Sequence, residues 1–178
     1  MKVAIDYRIR VDDAVLDSTT LAADLAKYRE VLAKAATIEG AIVVVLDGEP
    51  HCGDYFDPLF RLGAQWIRKV PWVLGGDTET VTFRDSAYCF GIVPAGDSIE
   101  LSFFLGSETE VEEYVLDPAT VRLDAFTKES LRLGERLIDL AKAVNPALLE
   151  DNEDCRDLVV SLDEARNAWR DYQLHNRR

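Results

Sequence analysis

TETVTFRDSAYCFGIVPAGDSIELSFFLGSETEVEEYVLD, residues 78–117, decides the fold. Val81 and Phe83 alternate with Thr80, Thr82 and Arg84. Tyr88, Phe90 and Ile92 form a second apolar series, and Ile99, Leu101, Phe103 and Leu105 a third. Val111, Val115 and Leu116 form a fourth within an acidic segment. Period-two alternation predicts strands with one apolar face. The breaks at Asp85-Ser86, Pro94-Ala95-Gly96-Asp97 and Gly106-Ser107-Glu108 are short and rich in turn residues. Connections this short force antiparallel neighbours, so the stretch reads as a four-stranded meander. The strand over 86–93 has large residues on one face and Ala87, Cys89 and Gly91 on the other, which suits an interior position.

Upstream, Val3, Ile5, Tyr7, Ile9 and Val11 alternate with polar residues and predict a half-buried strand. Ser18 offers an N-cap for an amphipathic helix carrying Leu21, Leu25, Tyr28, Leu32 and Ala35, to about Thr37. Ala41 to Leu46 reads as a buried strand, and Asp47 to Asp57 as a polar loop. Asp57 then caps a helix with Pro58 at its first position, an apolar face of Leu59, Leu62, Trp66 and Val70, and an end at Pro71.

Downstream of Asp117-Pro118 the period changes. Thr127 is the expected cap of a helix to Val144, broken by Asn145-Pro146. Glu150 to Asp157 reads as an acidic loop, with a helical part as the alternative. Ser161 and Glu164 read as a capping box that opens a last helix with Leu162, Ala165, Trp169 and Tyr172. The tail His175-Asn176-Arg177-Arg178 is expected to fray. The expected fold is one α+β domain over residues 1–178. It has a largely antiparallel sheet of about six strands, a central four-stranded meander and a cover of helices.

The 178 residues carry a net charge of -13. A surface this acidic repels nucleic-acid phosphates and anionic lipid and attracts basic proteins. No apolar run approaches a membrane span, and the N-terminus does not read as a signal peptide. Cys52, Cys89 and Cys155 are odd in number and lack metal-ligand spacing, which predicts free thiols and a cytoplasmic location.

No nucleotide-binding glycine loop, zinc signature or catalytic triad is present, so no cofactor is expected. His51 and Cys52 are adjacent on an extended segment and point apart, so they do not form a nucleophile and base. Trp66 and Trp169 fall on apolar helix faces, where packing is the default role.

Two acidic groups are candidate partner-binding residues. Glu108, Glu110, Glu112 and Glu113 mark an edge strand: their charges either protect that edge from pairing or present a surface to a basic partner. Asp47, Glu49 and Asp54 lie in the loop, which with His51, Cys52 and Asp57 also holds ligand types suited to a divalent cation, although at no recognised spacing.

In size, acidity and layout the chain is similar in character to the immunity proteins of bacterial toxin systems. That resemblance implies a non-enzymatic domain that binds a cognate toxin, often a basic nuclease, and blocks or distorts its active site. A small-molecule or metal-dependent enzyme using the Asp47–Asp57 loop is one alternative. A nucleic-acid mimic is the other.

Overall fold

The computed structural model describes residues 1–175. The chain runs β1 (Val3–Val11), β2 (Ala14–Asp17), α1 (Ser18–Lys34), β3 (Glu39–Leu46), β4 (Glu49–His51), β5 (Asp57–Pro58) and α2 (Leu59–Gly75). The meander β6 (Glu79–Thr82), β7 (Tyr88–Ala95), β8 (Ser98–Gly106) and β9 (Val111–Arg122) follows, and then α3 (Leu123–Val144), α4 (Leu148–Asp151) and α5 (Glu153–His175). The α+β class and the four-stranded antiparallel meander are as expected. The strands, however, divide into two sheets. One has the order β2-β1-β3-β4 with β5 paired to β3; the other has the order β6-β7-β8-β9.

The helices join the sheets into one hydrophobic cluster. Helix α2 touches β3 of the first sheet and β6 and β7 of the second, while α3 touches β1, β8 and β9. Helix α5 packs against both helices. Two glycines permit this close packing. A β-carbon at Gly63 would lie 2.3 Å from Leu137 Cδ1, and one at Gly134 would lie 2.9 Å from Leu162 Cδ1. Trp66 is fully buried in α2, and its indole N–H donates to Ser130 Oγ at 2.9 Å, so its polar edge is satisfied.

Helix boundaries depart from the sequence expectation in instructive ways. The cap of α1 is Asp17, whose carboxylate accepts from Thr20 N–H at 2.7 Å. Ser18 is helical, and its hydroxyl donates to Asp6. The helix ends at Lys34, short of Thr37. Pro71 does not end α2. A proline inside a helix removes one hydrogen bond, yet the next turn buries Val73, and Gly76 closes the helix in the left-handed conformation at φ 95°.

Thr127 is no cap either. Strand β9 continues through Pro118 to Arg122 and passes straight into α3, whose first turn buries Leu123 and Phe126. The Thr127 hydroxyl donates back to Leu123 O at 2.8 Å. Ser161 lies buried in the middle of α5. Asn152, not Ser161, caps that helix by accepting from Cys155 N–H at 3.0 Å. The expected acidic loop over 150–157 is therefore mostly helical, with Glu153 and Asp154 in a first turn where the helix dipole favours carboxylates. His175 is helical and is the last described residue of α5; the remainder of the tail expected to fray lies outside the described residues.

Candidate functional site

The register of the second sheet sorts its side chains into two faces. Ile92 faces Leu101, and Phe90 faces Phe103, on the inner side. There Phe103 packs against Tyr88 and Phe90, with ring centroids at 5.5 Å and 4.5 Å. On the outer side Gly91 faces Ser102, Cys89 faces Phe104, and Phe104 faces Tyr114. A β-carbon at Gly91 would lie 2.8 Å from Ser102 Oγ and 3.0 Å from Phe104 Cε1, so glycine makes room for that ring across the strand. Tyr114 meets the ring edge to face at 6.1 Å. Phe104 is buried by this arrangement, while Val93, Glu100, Tyr114 and Thr120 leave the outer face exposed.

This sheet also concentrates the charge. Between residues 85 and 121 there are eight carboxylates and no lysine or arginine. Glu108 and Glu110 lie in the β8–β9 connection, and Glu112 and Glu113 on the first residues of β9, all exposed. None of the four takes part in an ion pair among the described residues. Strand β9 pairs with β8 alone, so it is the expected edge strand. Val111 and Val115 do not turn inward as their spacing suggests: they are 41% and 42% exposed, and only Leu116 packs against the core. The reason is irregular pairing. Three register shifts interrupt the β8–β9 ladder, and Pro118 sits within β9. Bulges and an edge proline already discourage strand addition. The glutamates sit on an edge that already carries two such devices.

The Asp47–Asp57 segment is more ordered than the expected loop. Asp47 and Gly48, at φ 50° and 97°, form a two-residue hairpin turn that folds β4 onto β3. The Asp47 carboxylate accepts from Lys2 N–H at 2.8 Å. Glu49 is exposed on β4. Asp54 pairs with Arg8 at 3.6 Å while remaining almost fully exposed. These three carboxylates do not converge. Among the described residues, no group of three or more His, Cys, Asp or Glu side chains is placed to hold a metal ion. The divalent-cation arrangement considered for this loop is therefore not assembled among the described residues.

Asp57 is not an N-cap: the cap position of α2 is Pro58, with no side-chain hydrogen bond. Asp57 is buried instead, and accepts from the backbone N–H groups of Arg84 and Asp85 and from Arg61. Burial pushes its carboxyl above the usual range, opposed by those two amides and by Arg61.

One residue that the sequence did not single out brings the two acidic segments together. Tyr55 packs edge to face against Tyr88 at 4.6 Å and Phe103 at 4.9 Å. Its phenol is pushed above its ordinary value, first by burial, with Tyr88, Cys52, Asp54 and Glu113 adding to the effect. The turn between β4 and β5, which carries Asp54, and the start of β9, which carries Glu113, thus both approach this phenol. A shallow hollow of about 240 Å³ opens here, with Tyr55, Phe56, Phe83 and Tyr88 along it and Arg10 stacked over Phe56 at 4.5 Å. The aromatic residues were visible in the sequence, but nothing local marked their meeting.

The thiols are poor nucleophiles. Cys52, Cys89 and Cys155 are free and buried. Burial pushes Cys52 and Cys155 up to about 12 and raises Cys89 as well. Of the eight carboxylates in 85–121, Asp85, Asp97, Glu108 and Glu110 sit in turns, and Glu100, Glu112, Glu113 and Asp117 on strands. No helix among the described residues is long and apolar enough to cross a membrane.

No protein family, curated protein or solved structure matches this chain.

Proposed function

We propose that this chain is a non-enzymatic binding domain that engages a basic protein through the outer face and β9 edge of its second sheet. Its resemblance to immunity proteins makes neutralisation of a toxin the specific reading. The observation that carries the proposal is the run from 85 to 121, with eight carboxylates and no basic residue, folded as an exposed sheet. Glu108, Glu110, Glu112 and Glu113, which form no ion pair among the described residues, would steer a cationic partner during encounter. Val111, Tyr114 and Val115, each more than 40% exposed beside them, supply apolar contacts that a partner would bury. Asp54 extends the acidic rim across the Tyr55 hollow. Asp47 and Glu49, at the β3–β4 turn, contribute to the overall field.

Affinity capture from native lysate, followed by binding kinetics of the recovered protein at low and high salt, tests the reading. A basic partner whose association slows steeply with salt, and whose toxicity is suppressed when both proteins are expressed together, supports it. A partner that is not basic, or association indifferent to salt, overturns it.

A further inference from the structure

Helix α1 rests lightly on the molecule: of its 17 residues only Leu21 and Leu32 are buried. Strand β2 pairs with β1 only from Arg8 to Val11, so the earlier half of β1 has an open edge. Side chains occupy that edge. Ile5 N–H donates to Glu129 Oε2 at 3.4 Å, and Tyr7 N–H to Asp6 Oδ1 at 2.8 Å. Between α1, this edge and α3 lies a cleft of about 490 Å³, a size typical of small-ligand sites.

The cleft has two chemically distinct parts. Leu21, Ala22, Leu25, Leu140 and Ala143 form an apolar wall. Asp6, Tyr7, Ser18, Arg136 and Asp139 form a polar end. Within that end Asp6 is already engaged, by Arg136 at 3.0 Å and by the Ser18 hydroxyl at 2.8 Å. Asp6 and Arg136 therefore offset each other. Asp139 has no ion-pair partner among the described residues and leaves the end with one uncompensated negative charge.

Tyr7 is the second signal. It is only 6% exposed, yet its hydroxyl makes no hydrogen bond within the described protein. Among the described residues no fully buried side-chain polar atom lacks a partner, so this hydroxyl keeps its access through the cleft. A nearly buried tyrosine normally finds a partner for its oxygen. Burial, with Asp6 next, pushes the phenol up to about 12, so it stays protonated at neutral pH. A neutral phenol oxygen accepts a hydrogen bond from an ammonium group.

We propose that this cleft binds a small amphipathic cation, with its ammonium group between Asp139 and the Tyr7 hydroxyl and its apolar body against Leu21, Leu25 and Leu140. An anion is disfavoured, because Arg136 is tied to Asp6 and Asp139 repels it. The cleft lies on the first sheet and α3, away from the acidic face, so its occupancy does not depend on the protein partner.

The test uses the full chain and phenethylammonium as the probe, with phenylacetate and 2-phenylethanol as controls, read by calorimetry or ligand-observed NMR. Saturable binding of the ammonium alone is expected. Asp139→Asn should weaken it at least about tenfold, the effect of losing one charge-assisted hydrogen bond. Ala22→Phe, at an exposed position on α1, should fill the cleft and abolish binding. Asp139 is exposed and unpaired, so both variants should show the circular dichroism and melting behaviour of the parent. No saturable binding, equal binding of the controls, or an unchanged affinity in Asp139→Asn overturns the proposal.

Discussion

The carboxylate of Asp57 accepts the backbone N–H of Arg84, with Oδ1 at 3.0 Å. One residue in the last strand of the first sheet thereby holds the chain just after β6 of the second. It also accepts from Asp85 N–H at 3.2 Å and lies 3.3 Å from Arg61 Nη1. This side chain ties the two sheets together beside the Tyr55 hollow. Asp57→Ala should therefore cost more than about 2 kcal/mol, because it leaves two part-buried backbone N–H donors without an acceptor, at about 1–3 kcal/mol each. A helix cap would cost about 1 kcal/mol. Urea denaturation distinguishes the two, and the smaller value would return Asp57 to a capping role.

Phe103 is fully buried at the centre of an aromatic group that includes Tyr55, Phe83, Tyr88 and Phe90. Phe103→Ala should cost about 3–5 kcal/mol, as other large-to-small core substitutions do. A cost under about 1 kcal/mol would mean that the inner and outer faces of β8 are reversed.

Replacing Glu110 and Glu112 with Gln should slow association with the basic partner and flatten its salt dependence, with folding nearly unchanged. Because bulges and Pro118 already blunt β9, the variant should remain as monodisperse as the parent in light scattering. Unchanged kinetics together with increased self-association would assign the glutamates to edge protection instead.

Asp17 caps α1, and the Thr20 backbone N–H is the main reason its carboxyl lies below the usual range. A depressed pKa means that the charged form favours the folded state. The contribution is present above the ordinary aspartate value of about 3.9 and is lost as the pH falls through the lower, folded value. Asp17→Ala should cost about 1 kcal/mol at neutral pH, and its stability should converge on that of the parent in acid. A difference that persisted at low pH would contradict the capping role.

All three cysteines should resist a thiol reagent at pH 7.5 in the native protein and react after denaturation. Each is buried, and burial raises each thiol pKa. Rapid native labelling of Cys52 would show that the 52–56 turn opens readily.

The meander, the first strand and the apolar faces of α2 and α3 were legible in the sequence, because period and turn chemistry are local properties. The concentration of acid in 85–121 was equally legible. Capping was less so. Ser161, Thr127 and Asp57 each satisfy a local capping pattern, but a serine, threonine or aspartate bonds to whatever backbone the fold brings to it. Ser161 and Thr127 ended up inside helices, and Asp57 reached across to Arg84. Pro71 shows the same limit, since burial of Val73 outweighs a breaker that propensity alone would obey.

The sequence by itself therefore determined the α+β class, the antiparallel meander, the edge position of β9 and the acidity of the surface. Each of these follows from neighbours close in the chain. Only the tertiary structure decided that the strands form two sheets, that Asp54 and Glu113 both approach one tyrosine, and that Asp6, Tyr7 and Asp139 border one cleft. Those relationships join residues about 60 to 130 positions apart. They arise from how buried faces are matched across the core, which no local period encodes.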